Sequence, residues 1–117
     1  MNYQFVCYPK CTTCQKAKKW MDANNILYEE RHIKEQNPST AELKEWQKKS
    51  GLPMQKFFNT SGLLYKSLQL KDKLPSMSED DMAVLLATDG MLVKRPILIA
   101  GDRVLIGFKE AAWEQLM

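Results

Sequence analysis

The sequence predicts an α/β fold in which a β-α-β unit opens the chain, a β-β-α unit closes it, and a block of helices separates the two. Three observations predict it. A short apolar run, Tyr3 to Cys7, is followed by a lysine-rich helical pattern and then by a second strand-like run, Ile26 to Ile33. Near the other end, Pro96 to Ala100 and Arg103 to Ile106 are separated only by Gly101-Asp102, the spacing of a two-residue hairpin turn. Between these units, helix-start and helix-stop signals fill residues 38–88.

Each element has its own local reason. Residues 2–7 alternate weakly and then run apolar, as in a strand buried on both faces. In the helical pattern from Gln15 to Asn24, one stripe carries Cys14, Ala17, Met21 and Asn24, with Trp20 beside it and the lysines opposite. Asn24-Asn25 stops that helix, and Ile26 to Ile33 pairs parallel to the first strand through a right-handed crossover. Asn37-Pro38-Ser39 is a turn. Ser39-Thr40-Ala41-Glu42 is a capping box, opening a helix with Leu43, Trp46 and Gln47 inward and Gly51 as its left-handed end. Leu52-Pro53 restarts a short helix with proline near its first position, carrying Phe57 and Phe58 inward. After the loop Asn59-Thr60-Ser61-Gly62, Leu63, Leu64, Leu68 and Leu70 fall at mostly helical spacing, and Ser78 caps a helix with Met82, Leu85 and Leu86 inward. Gly101-Asp102, glycine first, fits a type II′ turn. Gly107-Phe108 breaks the last strand, and Lys109 to Met117 closes the chain as a helix with Ala112, Trp113 and Leu116 inward. This order is that of a thioredoxin-like sheet with a helical insertion, in one domain spanning 1–117.

At 117 residues the chain is long enough to bury a core. Lys+Arg 17 against Asp+Glu 14 gives a formal charge of +3, too mild to argue for direct nucleic-acid binding. No basic segment with a long apolar stretch opens the sequence and no run reaches membrane-spanning length, so a cytoplasmic protein without membrane contact is expected. Three cysteines in such a chain favour redox or catalytic use over a structural disulfide framework.

The chemistry concentrates at Tyr8-Pro9-Lys10-Cys11-Thr12-Thr13-Cys14, a C-x-x-C motif where a strand gives way to a helix. The first turn of a helix has unpaired N–H groups and partial positive charge, which stabilise a thiolate. Cys11 is therefore expected to be the nucleophile. Cys14, one turn later and more buried, is expected to resolve. Lys10, Lys16, Lys18 and Lys19 add positive field. Thr12, Thr13 and Lys10 are candidates for positioning a substrate. Three other readings stand beside this one: cysteines serving only as core, a zinc site for which His32 is poorly spaced, and an iron–sulfur cluster on Cys7-x3-Cys11-x2-Cys14, which would need a far larger barrel. Cys7 and the three tryptophans read as core, and His32 as a strand-end residue.

With C-x-x-C after the first strand and Lys94-Arg95-Pro96-Ile97 before the third, the whole chain resembles the glutaredoxin-like arsenate reductase family, which includes Spx-type transcription regulators. The segment Asn59 to Leu70 and the closing Gly107-Phe108 carry the resemblance further. It implies that Cys11 matches the cysteine attacking arsenate, that Arg95 lies beside it as thiolate or oxyanion partner, and that Pro96 follows a cis bond and helps position the substrate. Two further arginines of true arsenate reductases are replaced here, by Asn59 and near Gly107. One guanidinium holds a tetrahedral oxyanion poorly, and Cys14 stands where those reductases need no cysteine. The expected activity is thus thiol–disulfide exchange on a small-molecule or protein disulfide or an oxyanion. No bound cofactor or metal is expected, and glutathione or thioredoxin would serve as external reductant. The alternatives are a redox-sensing regulator that binds RNA polymerase, and an arsenate reductase.

Overall fold

The structure, a computed structural model, describes residues 3–116; Asn2, expected in the first strand, and Met117, expected in the last helix, lie outside the described residues. β1 (Tyr3–Cys7), the apolar run that opens the sequence, sits in the middle of a four-stranded sheet of order β2-β1-β3-β4. It pairs parallel to β2 (Tyr28–His32) and antiparallel to β3 (Ile97–Ala100), with Val6 opposite both Arg31 and Ile97. β3 turns through Gly101-Asp102 into antiparallel β4 (Arg103–Ile106). Gly101 has φ +63°, a conformation that glycine adopts without steric cost, and Asp102 does not share it, as a type II′ turn requires. This is the thioredoxin-like α/β arrangement that the sequence predicts.

Alternation along β1 divides the core in two. Phe5 and Cys7 face one side of the sheet, where α1 (Thr12–Ala23) contributes Cys14, Ala17 and Met21, and α6 (Glu110–Glu114) contributes Trp113. Val6 faces the other side with Ile97 and Val104, against Leu43 and Trp46 of α2 (Thr40–Ser50) and Met82, Ala83 and Leu86 of α5 (Glu79–Leu86). Period-two side chains on a strand meeting stripes on helices account for both layers.

Helix α2 is bounded as its sequence dictates: Ser39 and Glu42 form a reciprocal capping box, and Gly51 closes it at φ +71°. Other boundaries moved. α1 begins at Thr12, three residues before the lysine pattern, because Cys11 itself supplies the cap position. Leu27 lies outside β2 and is 87% exposed. Pro53 precedes a 3₁₀ turn, Met54–Phe57, instead of entering it, and Met54 joins Phe57 and Phe58 in the core. The segment Leu63 to Leu70 is not one helix: α3 (Leu63–Ser67) and α4 (Leu70–Lys73) are separated at Gln69, which has φ +54°. The closing helix ends at Glu114, and Leu85 is half-buried.

One ion pair ties β2 to α2. Arg31 Nη1 and Nη2 donate to Glu42 Oε2 and Oε1 at 2.6 and 2.9 Å, and the guanidinium lies over the Trp46 ring at 5.7 Å. The Arg31 guanidinium, aided by the Ser39 N–H and opposed by partial burial, pushes the Glu42 carboxyl down to about 2. A carboxyl lowered on folding adds stability above its ordinary pKa and loses it as pH falls towards the folded value. Glu42→Gln is therefore expected to cost about 1–2 kcal/mol at pH 7, a figure reduced for solvent screening because the Glu42 side chain is 36% exposed. Wild-type and variant stabilities should converge between pH 4.5 and pH 2. Urea unfolding at several pH values measures both; a constant gap would show that the pair contributes nothing through ionisation.

Candidate redox site

The turn Tyr8-Pro9-Lys10 carries the chain from β1 into α1. The Cys11 N–H donates to Tyr8 O at 2.9 Å, and Gln15 Nε2 reaches back to Pro9 O at 3.0 Å, which fixes the loop. Cys11 is the N-cap of α1, with extended backbone (φ −80°, ψ 123°) and no side-chain capping bond. Its half-buried thiol thus stands at the end of a 12-residue helix with no acidic residue in its first turn. The unpaired N–H groups there favour negative charge.

Cys14 lies one turn inward and is 2% exposed. The Tyr8 N–H donates to its Sγ at 3.5 Å, and Cys14 shares a buried cluster with Cys7, against which Cys11 packs. Cys7, 3% exposed on β1, completes the cluster. Cys7 and Cys14 share one S–H···S hydrogen bond, so the pair titrates together. The bond pushes Cys14 well up, as does burial, against the Tyr8 N–H; the same bond pulls Cys7 down. The first proton of the pair is the easier to lose and the second the harder.

Cys11 opens onto a cleft of about 800 Å³. Thr13 lines it from α1. The loop Asn59 to Leu64 contributes Asn59, Ser61, Gly62, Leu63 and Leu64, and Met91, Lys94, Arg95 and the run Ile106 to Lys109 form the far wall. Three cations, Lys94, Arg95 and Lys109, and no carboxylate stand among these lining residues. Arg95 Nη1 donates to Val93 O at 3.2 Å and Met91 O at 3.4 Å, and its guanidinium lies 5.3 Å from the Tyr8 ring centre. Its Nε is buried without a partner among the described residues. Gly107, at φ +72°, lets the Lys94 stem cross over it: a Cβ there would lie 3.2 Å from Lys94 Cε.

Of the residues singled out in the sequence, Cys11, Thr13 and Arg95 share the cleft. Lys10 and Thr12 are exposed near Cys11 but are not among its lining residues. Pro96 is buried behind the cleft, after a cis Arg95–Pro96 bond. His32 does not line the cleft: its ring lies edge-on to Tyr8 at 5.7 Å, and its Nδ1 accepts from the Lys34 and Glu35 N–H groups at 3.2 and 3.3 Å. Sequence reasoning missed the cleft roles of Lys94 and Lys109 and the apolar wall of Leu63, Met91, Ile106 and Phe108. One signal was available: Leu63 directly follows the loop Asn59-Thr60-Ser61-Gly62, and in the structure it is 86% exposed. Among the described residues, no group of three or more His, Cys, Asp or Glu is arranged to hold a metal.

A family model described as the ArsC family matches residues 7–116. The chain belongs to the ArsC family. YusI of Bacillus subtilis is 53% identical over 115 residues, covering 98% of each chain. The regulatory protein MgsR of the same organism is 31% identical over 104 residues, covering 89% of this chain and 81% of its own. An ArsC-family-related protein of Bacteroides fragilis, whose crystal structure is known, is 54% identical and superimposes with a TM-score of 0.97, covering all of this chain and 98% of that one. Both fold and family are thereby shared with proteins of nearly the same length.

Proposed function

We propose that this ArsC-family chain is a thiol–disulfide oxidoreductase working with Cys11 and Cys14. The observation that carries the reading is the asymmetry of the pair: a half-buried cysteine at the N-cap of α1, lining a cationic cleft, with a buried cysteine one turn behind it. The Cys11 thiolate attacks one sulfur of a substrate disulfide; a Cys11–substrate S–S bond forms, and the other half leaves as a thiolate. Cys14 gives up its proton and attacks the Cys11 sulfur, forming Cys11–Cys14 and releasing the second thiolate. Two electrons pass from the dithiol to the substrate. An external thiol such as glutathione or thioredoxin returns them, which fits a reducing compartment such as the cytoplasm.

Arg95, Lys94 and Lys109 bring positive charge for an anionic substrate. Arg95 gives Nη1 to two carbonyls and lies against the Tyr8 ring, and Asn59 and Gly107 offer no further guanidinium. An arsenate oxyanion therefore meets one guanidinium in this cleft, too few to hold its tetrahedral oxygens. Turnover on glutathione mixed disulfides with negligible arsenate reduction is the expected result. Arg95→Ala should lower kcat/KM for the mixed disulfide roughly tenfold, the equivalent of one charge-assisted contact. Robust glutathione-coupled arsenate reduction would overturn this reading.

The similarity to MgsR, a regulatory protein, supports a second reading, that of a regulator; on this reading the Cys11–Cys14 pair is a redox sensor and RNA polymerase the partner. Retention by polymerase under oxidising conditions, with no turnover on any disulfide, would favour it.

A further inference from the structure

We propose that Cys7 is a third redox cysteine, and that the oxidised protein stores its disulfide as Cys7–Cys14 in the interior, leaving Cys11 free at the cleft. The inference rests on the Cys11–Cys14 exchange proposed above and extends it to a residue which that exchange leaves idle.

Cys7 closes β1 on the face that packs against α1, and Cys14 is the first buried position of that helix. The two residues belong to one buried cluster against which Cys11 also packs, so the three cysteines stand together where β1 meets the start of α1. A small cavity of about 100 Å³ is lined by both Cys7 and Cys14, together with Lys18 and Glu30, which pair at 2.8 Å. Phe5 and Pro9 also line it, so the two cysteines share one space between β1 and α1.

The exchange balances without any added oxidant. After a catalytic cycle the oxidising equivalent sits in Cys11–Cys14. Cys7 loses its proton and attacks the Cys14 sulfur; the Cys7–Cys14 bond forms, the Cys11–Cys14 bond breaks, and Cys11 leaves as a thiolate. Two features favour that direction. The sulfur that leaves, Cys11, stands at the N-terminus of α1, whose unpaired N–H groups favour negative charge. The product disulfide lies between two residues almost closed to solvent, out of reach of an attacking thiol. A free Cys11 can then take a second disulfide, and with Cys14 occupied that mixed disulfide persists. The fully oxidised chain thus carries four electrons' worth of oxidation: Cys7–Cys14 and a Cys11 mixed disulfide.

Mapping of the wild-type protein tests this. The reduced chain is treated with one equivalent of oxidised glutathione, quenched with acid, alkylated and digested. The expected product is Cys7–Cys14, at about tenfold or more over Cys11–Cys14, with Cys11 alkylated. Excess oxidised glutathione should add glutathione to Cys11 alone. In Cys7→Ala the internal product should be Cys11–Cys14, and in Cys11→Ala no internal disulfide should form at a comparable rate. A wild-type product that remains Cys11–Cys14, with Cys7 alkylated only after unfolding, overturns the proposal and leaves the oxidoreductase reading intact. Rapid formation of Cys7–Cys14 in Cys11→Ala overturns the oxidoreductase reading itself, since Cys11 would then not be the point of entry. The wild-type map decides even if Cys7→Ala fails to fold.

Discussion

Cys11→Ser is expected to abolish disulfide exchange, by on the order of 10³-fold or more, while Cys14→Ser preserves the first attack and halts at a stable mixed disulfide. The reason is access. Cys7 and Cys14 are 3% and 2% exposed, so no other thiol among the described residues can meet a substrate in solution. A serine hydroxyl at position 11 keeps the shape of the cap but is not ionised near neutral pH, and the helix terminus then has no anion to stabilise. Cys14→Ser removes the group that breaks the Cys11 mixed disulfide. The intermediate should then accumulate to one substrate per chain, visible by intact mass. A Cys11→Ser protein with full activity would show that the nucleophile lies elsewhere, and a Cys14→Ser protein that turns over normally would make this a one-thiol enzyme.

The parts of this site that were legible in the sequence are those set by neighbours in the chain. The C-x-x-C pair at a strand–helix junction, the capping box at Ser39 and Glu42, the Gly51 stop and the Gly101-Asp102 turn each depend on a few consecutive residues, whose backbone preferences decide the outcome. What could not be read depends on residues far apart. Lys94 comes to lie across Gly107 only because β3 and β4 pair, and Leu63 enters the cleft wall only because α3 is held near Met91 and Phe108. Contact between Cys7 and Cys14 likewise needs the tertiary packing of α1 on β1. The break at Gln69 has no local signal, because glutamine is not a residue that prefers φ > 0. Here tertiary packing overrides the leucine spacing that predicts continuous helix.

Trp113→Ala is expected to be the most damaging core change beside the site, costing about 3–5 kcal/mol and raising KM as well. The indole is 1% exposed and packs edge-on against Phe108, Trp20 and Phe5, at centroid distances of 5.0, 6.1 and 6.3 Å. Its Nε1 donates to Gly107 O at 3.2 Å, while the Gly107 N–H donates to Pro96 O at 2.8 Å. Gly107 and Phe108 are also cleft residues. One side chain therefore fills the α1 face of the sheet and holds the wall opposite Cys11. Trp113→Phe separates the two roles. It retains most of the packing but leaves the Gly107 carbonyl without its donor, a loss of about 1–3 kcal/mol. Trp46→Ala is the control: Trp46 is also buried, at 4% exposure, but on the opposite face of the sheet and not among the residues lining the cleft. It should cost comparable stability and leave KM unchanged at a temperature where all variants are folded. Urea unfolding and steady-state kinetics on a mixed disulfide give the two quantities. If Trp113→Phe raises KM no more than Trp46→Ala does, the Gly107 turn holds its position without the indole, and Trp113 serves the core alone.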